Sequence, residues 1–231
     1  MPREAIVLAG GFGTRLQKVV SDVPKPMAPV AGKPFLEHVM HYLNEQHITH
    51  VVLAVGYLHE TIIAHFGDQF KNISITYSIE KDPLGTGGGI MQACNYLQGD
   101  EAFIINGDTF FDISLGELHH FHASKNAALT IALKKMVQFE RYGTVEIDAN
   151  GMVTGFHEKK YLDEGLINAG VYCLKTSLFH PSLPAAFSFE KEILEKQFVH
   201  HSVYAIAFDG YFIDIGIPED YERSQTDFAA R

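Results

Sequence analysis

"AIVLAGGFGTRL", residues 5–16, runs a short apolar segment straight into a glycine-rich turn. The apolar residues ending at Gly10-Gly11 read as a buried strand. Leu8, Ala9, Gly10, Gly11, Gly13, Thr14 and Arg15 then read as a place where backbone approaches a phosphate chain beside a fixed cation. The turn shares Gly11 and Gly13 with a dinucleotide fingerprint but has Leu16 in its third position, and no Gly-Lys-Ser/Thr follows as in a P-loop. Lys25 comes next, held between Pro24 and Pro26, which restrict its backbone and add a second cation. On spacing alone, a polyphosphate cradle and a plain glycine-rich turn with a surface lysine fit equally well.

Outward from that turn, strand and helix signals alternate. Residues 35–45 carry apolar side chains at a helical period, 51–55 read as a strand, 61–66 as a helix and 73–79 as a strand. A helix is predicted over 89–97 and a buried strand over 102–105, just before Asn106-Gly107-Asp108. This alternation predicts an α/β fold: a Rossmann-like mixed, mainly parallel sheet flanked by helices. The second half is β-rich, with strands at 129–133, 144–147, 152–157 and 166–174, a hairpin turn at 148–151, and helices at 190–198 and 219–228. The chain reads as a single domain over 1–231, with 1–125 mainly nucleotide-binding and 126–231 a mainly sugar-phosphate-binding, β-rich part.

Bulk properties narrow the classes. In 231 residues, 28 acidic side chains against 18 basic give a net charge of −10, which argues against nucleic-acid binding. A bound polyanion must therefore meet a few placed cations, backbone N–H groups and a metal ion. The first residues, MPREAIVLAGG, read as a mature strand rather than a signal peptide, and no apolar run approaches the roughly 20 residues of a spanning helix. Cys94 and Cys173 stand far apart outside any zinc or disulfide spacing. These features predict a soluble, cytoplasmic protein with no membrane partner. The thirteen histidines, including His119-His120-Phe121-His122, lack metal-ligand spacing and are expected mostly at the surface.

The motifs then become specific. "LAGGFGTRL…VPKPMAPVAGKPFLEHV", "LGTGGGI" at 84–90, "NGDTF" at 106–110, "RYGTVEID" at 141–148, "FHEKK" at 156–160, "INAGVY" at 167–172 and "FIDIGIPEDY" at 212–221 occur in one order. Together they resemble the sugar-1-phosphate nucleotidyltransferases, or nucleotide-sugar pyrophosphorylases, which have a GT-A-like fold. The resemblance implies that a sugar 1-phosphate oxygen attacks the α-phosphorus of a nucleoside triphosphate and expels pyrophosphate. It implies Arg15, Lys25, Asp108 and Asp214 as catalytic residues, with Arg15 at the leaving phosphates and Lys25 at the α-phosphate. Asp108 and Asp214 match the metal-binding aspartates, which suit Mg²⁺, a hard ion that prefers oxygen ligands. Glu158, Lys159, Asn168 and the Gly143 backbone correspond to sugar-phosphate contacts. A homodimer is the assembly the resemblance implies.

Base and sugar are addressed by finer details. Gly85, Thr86 and Gly88, together with Asn106 and Gly107, belong to the expected nucleotide side. Glu80 is acceptor-only when ionised and so complements the donors at guanine N1 and N2, which favours GTP over UTP. "VVSDVPKPMAPVAGKPFLE" looks like the bacterial D-glycero-α-D-manno-heptose 1-phosphate guanylyltransferases, which make GDP-heptose for surface polysaccharide. The chain shows no hexapeptide-repeat region after Asp214. Mannose-1-phosphate guanylyltransferases, short uridylyltransferases and a non-catalytic, nucleotide-sugar-binding regulatory paralogue are the alternatives.

Overall fold

In the computed structural model, β1 (Glu4–Leu8) is central because its middle residues leave no polar face: Ala5, Ile6 and Val7 are fully buried. The described residues are 1–11, 23–196, 198 and 202–230, so Gly13, Thr14 and Arg15 lie outside them. Parallel to β1 on one side runs β4 (His50–Val55), followed by β6 (Ile73–Ile79); on the other side runs β7 (Glu101–Asn106). Continuous apolar runs such as Val51 to Val55 suit strands covered on both faces. Alternation divides the two cores. Ala5 and Val7 pack with α1 (Phe35–Glu45), α2 (His59–Phe66) and α5 (Pro218–Ala229), whereas Ile6 packs with α3 (Gly85–Cys94).

From β1 the chain moves outward through β4 and β6, then returns to place β7 on the opposite flank. Such a reversal opens a crevice beyond the C-terminal strand ends, where open α/β sheets bind ligands. The later strands are mostly antiparallel: β12 (Leu162–Lys175) pairs with β7, with β9 (Leu129–Phe139) and with β10 (Thr144–Ile147). β11 (Val153–His157) follows β10, β13 (Val203–Phe208) lies parallel to β9, and the short β5 (Gln69–Phe70) edges β6. The hairpin turn at 148–151 is present: Asp148 Oδ1 accepts the Asn150 and Met152 N–H groups at 2.8 Å.

Two small pairings lie outside the main sheet, β2 (Pro29–Val30) with β3 (Lys33–Pro34), and β8 (Thr109–Phe111) with β14 (Phe212–Asp214). The second of these positions chemistry. Its register sets Asp214 opposite Thr109, and the Ile215 N–H donates to the Asp108 carbonyl at 3.1 Å. Two aspartates distant in sequence are thereby brought side by side.

The mixed, mainly parallel sheet and the β-rich second half match the expected fold class, and several local elements differ. α3 begins at Gly85 rather than at residue 89, so the glycines form its first turns. Each helical glycine costs about 1 kcal/mol against alanine, and here close packing explains them. A Cβ on Gly87 would lie 2.1 Å from the Phe187 ring, and one on Gly88 would lie 2.3 Å from the Ala185 carbonyl. In place of a helix over 190–198 there is one turn of π-helix, Glu190–Glu195. α4 (Leu115–Ser124) is an unpredicted helix, capped by Ser114, whose side chain accepts the Glu117 N–H at 3.1 Å. Both cysteines are free thiols, Cys173 buried. Among the described residues no helix is long and apolar enough to cross a membrane.

One histidine of α4 departs from the expected surface placement, while His120 is exposed. His122 is fully buried, with Nδ1 against Thr130 Oγ1 at 2.8 Å and Nε2 lacking a hydrogen-bond partner, and His119 Nε2 meets Glu101 Oε2 at 3.2 Å. The helix turns this imidazole onto the sheet, which adjacency in sequence does not reveal. Burial lowers the His122 pKa to about 4, against the opposing charge of Glu101. An unfolded histidine takes a proton near pH 6.5, so the unfolded chain binds more protons between those values. Stability is therefore expected to fall as pH drops from about 6.5 towards about 4, by up to about 3 kcal/mol. Denaturant titrations across this window check it: a His122→Asn variant flattens the slope, and an unchanged slope contradicts the assignment.

Candidate active site

At the switch point lies a cavity of about 510 Å³. It is lined by Leu8, Gly10 and Gly11 at and just beyond the end of β1, by Glu80 after β6, by Gly85 and Thr86 of α3, by Asn106, the last residue of β7, and by Asp108 just beyond it. Lys25 enters from the side, on a tight 3-10 turn, Lys25–Met27, that Pro24 and Pro26 hold. Three expected nucleotide contacts do not line this cavity. Ala9 is buried and its N–H donates to the Ala54 carbonyl at 2.8 Å. Gly107 is a packing glycine: its N–H donates to the Leu8 carbonyl, and a Cβ there would stand 2.6 Å from that oxygen. Gly88 serves the Ala185 contact described above.

The cavity's lining carries a cation between two carboxylates. Lys25 Nζ donates to Asp108 Oδ2 at 2.5 Å and lies 3.5 Å from Asp214 Oδ1. Burial raises the Asp214 pKa; the Lys25 charge opposes that rise, and the neighbouring Asp108 charge adds to it. The Gly216 N–H donates to Asp214 Oδ1 at 2.7 Å, fixing the carboxylate's orientation. Among the described residues no group of three or more His, Cys, Asp and Glu side chains is arranged for a metal ion. Two converging carboxylates remain, a donor set that Mg²⁺ commonly completes with water and substrate phosphate oxygens.

A second cavity, of about 560 Å³, opens among β10, β11 and β12. It takes in Gly143, Glu158, Lys159 and Asn168. Asp214 and Gly216 line both cavities, so the carboxylate–lysine cluster is the seam between them. Asn168 is already engaged within the protein: its Nδ2 donates to the Tyr172 hydroxyl at 2.8 Å, and its Oδ1 accepts the Gly170 N–H at 3.0 Å.

The whole chain, cavities included, falls within a known family. The family model described as nucleotidyl transferase matches residues 4–231. The chain belongs to the nucleotidyl transferase family. A D-glycero-α-D-manno-heptose 1-phosphate guanylyltransferase of Aneurinibacillus thermoaerophilus is 50% identical over 96% of this chain and 96% of its own. Its counterpart in Campylobacter jejuni is 48% identical over 94% of this chain and 96% of its own. The crystal structure of HddC from Yersinia pseudotuberculosis complexed with GMP-PN superposes with a TM-score of 0.87. It is 36% identical, covering 97% of this chain and 99% of that one.

In this nucleotidyl transferase, Arg141 and Glu190 also line the second cavity, and sequence reasoning assigned neither. Arg141 pairs with Asp220 of α5, and its guanidinium lies 5.3 Å from the Tyr142 ring centroid. The "RYG" motif held this signal, since an arginine ahead of an expected sugar-side glycine adds a cation beside Lys159. Glu80 spends one oxygen on the protein: Oε2 accepts the Leu84 N–H at 3.0 Å. Burial raises its pKa, and that hydrogen bond opposes the rise.

Proposed function

We propose that the chain transfers a guanylyl group from GTP to D-glycero-α-D-manno-heptose 1-phosphate, forming GDP-heptose and releasing pyrophosphate. The observation that carries this reading is the shared seam: Asp214 and Gly216 border both cavities, with Lys25 between Asp214 and Asp108. A donor in one cavity and an acceptor in the other would meet at that seam.

The chemistry needs little beyond placement and charge. A phosphate monoester loses its second proton at a pKa of ~6, so the acceptor arrives as a nucleophile and requires no general base. An acceptor oxygen forms a bond to the α-phosphorus as the bond to the β-phosphate oxygen breaks, and pyrophosphate leaves with that electron pair. Lys25 meets the charge growing on the α-phosphate oxygens, and Arg15, outside the described residues, is assigned to the leaving phosphates. Lys159 and Arg141 hold the acceptor phosphate, and Glu158 accepts sugar hydroxyls. Asp108 and Asp214 would hold Mg²⁺, which when bound neutralises phosphate charge. Residues 1–125 are assigned mainly to the nucleotide and 126–231 mainly to the sugar phosphate.

Guanine selection falls to Glu80, whose Oε1 remains for a donor on the base. Glu80→Gln is expected to raise the KM for GTP about tenfold or more, as expected when a half-buried charged acceptor is lost, and to narrow the GTP/UTP preference; kinetics with both nucleotides check it. Lys159→Ala is expected to raise the sugar-phosphate KM about tenfold with little change in that for GTP. Unchanged sugar-phosphate kinetics would remove Lys159 from the acceptor site. The substrate assignment is tested by four nucleoside triphosphates against heptose, mannose, glucose and N-acetylated sugar 1-phosphates. The reading predicts the highest kcat/KM for GTP with the heptose. Preference for UTP or dTTP overturns the Glu80 argument, and failure with the heptose alone points to the mannose acceptor.

A further inference from the structure

A hydrogen bond between two side chains links the linings of the two cavities. Glu190 lines the acceptor cavity, and its Oε2 accepts the Thr86 hydroxyl at 2.7 Å; Thr86 lines the nucleotide cavity. The Ser188 hydroxyl donates to the same oxygen at 2.8 Å, and the Phe189 N–H donates to Thr86 Oγ1 at 2.9 Å. Both hydroxyls therefore load Oε2, and no described protein group donates to Oε1. Neighbouring contacts tie the same segments together: the Gly87 N–H donates to the Phe187 carbonyl at 2.9 Å, and the Phe187 N–H donates to the Leu84 carbonyl at 2.8 Å.

Glu190 opens the π-helical turn, whose Ile193 and Leu194 are buried in the core beside α3, so its backbone is anchored. The Glu190 charge, after burial, helps raise the Tyr172 pKa, which places it close to the Tyr172–Asn168 pair. A carboxylate that lines a cavity with one oxygen fixed and the other receiving no described protein donor is suited to accept a hydroxyl from a polyhydroxylated ligand.

We propose that Glu190 is a specificity-determining residue, whose Oε1 accepts a hydroxyl of the acceptor sugar while Oε2 holds Thr86 of the nucleotide wall. Sugar recognition and the shape of the nucleotide site are thereby joined through one carboxylate. This rests on the nucleotidyltransferase reading above.

Steady-state kinetics of the parent, Glu190→Gln and Thr86→Val test it, using the parent's preferred acceptor and its monodeoxy analogues. Glutamine keeps an oxygen for Thr86 and replaces the other with an amide NH₂ that cannot accept. The acceptor KM is expected to rise about tenfold or more, with the GTP KM within about twofold and melting unchanged. That penalty should vanish for one monodeoxy analogue, the one lacking the hydroxyl Glu190 receives. Thr86→Val should raise mainly the GTP KM. Equal rises in both KM values for Glu190→Gln, a change in melting alone, or a penalty undiminished across every analogue would overturn the proposal. Turnover by the parent is scored separately: failure there overturns the substrate reading, while the variant-to-parent ratio judges Glu190.

Discussion

Asp108→Asn and Asp214→Asn are each expected to lower kcat by about 10³-fold, or about 4 kcal/mol of transition-state stabilisation. Neither substitution should unfold the protein. Asparagine has the same shape, and the β8–β14 pairing that aligns these residues is made by backbone groups, including the Ile215 N–H to the Asp108 carbonyl. What disappears is negative charge at the seam. With one carboxylate left, a divalent cation held as proposed would lose half of its protein donor set, and Lys25 keeps only one ionic partner. Pyrophosphate release measured across a Mg²⁺ titration checks the assignment. Full Mg²⁺-dependent activity in either variant would remove that aspartate from the site.

Lys25→Met is expected to lower kcat by about 10²–10³-fold, the range seen when one preorganised charge is removed. Methionine fills similar volume without charge, so on the proposed role of Lys25 the α-phosphate oxygens would lose their cation as negative charge builds. The same change leaves Asp108 and Asp214 facing each other without Lys25 between them. The Asp214 pKa, already raised by burial, should therefore rise further, because Lys25 is the main influence opposing it. The acid limb of the pH–rate profile should accordingly move to higher pH in the variant. Turnover within about threefold of the parent would contradict both roles; an effect of that size is only ~0.7 kcal/mol.

How much of this was legible in the residues differs from part to part. The buried strands were, because runs such as "AIVLA" and "VVLAV" have no polar face to show to solvent. The convergence of Asp108 and Asp214 was not legible from periodicity, since it depends on pairing between three-residue strands. Resemblance supplied that link, and the β8–β14 register supplies its physical cause. Glycines were the hardest to read. Gly88 and Gly107 suggested nucleotide contacts, and the fold also uses both to let the Ala185 and Leu8 carbonyls approach. In sequence a glycine that admits a ligand looks the same as one that admits a neighbouring strand. Glu190 was missed for a related reason: its meaning depends on Thr86, far away in sequence, and on a π-turn that helical periodicity cannot specify.

Transfer of a nucleotidyl group from one cavity to the other across the Asp214–Gly216 seam, as proposed, ties the two products together. Pyrophosphate and GDP-heptose are therefore counted together in a reaction of GTP, D-glycero-α-D-manno-heptose 1-phosphate and Mg²⁺. One pyrophosphate is expected per GDP-heptose, with none released when the sugar phosphate is left out. Pyrophosphate released without acceptor, or tight GDP-heptose binding with no turnover on any sugar 1-phosphate, would contradict it.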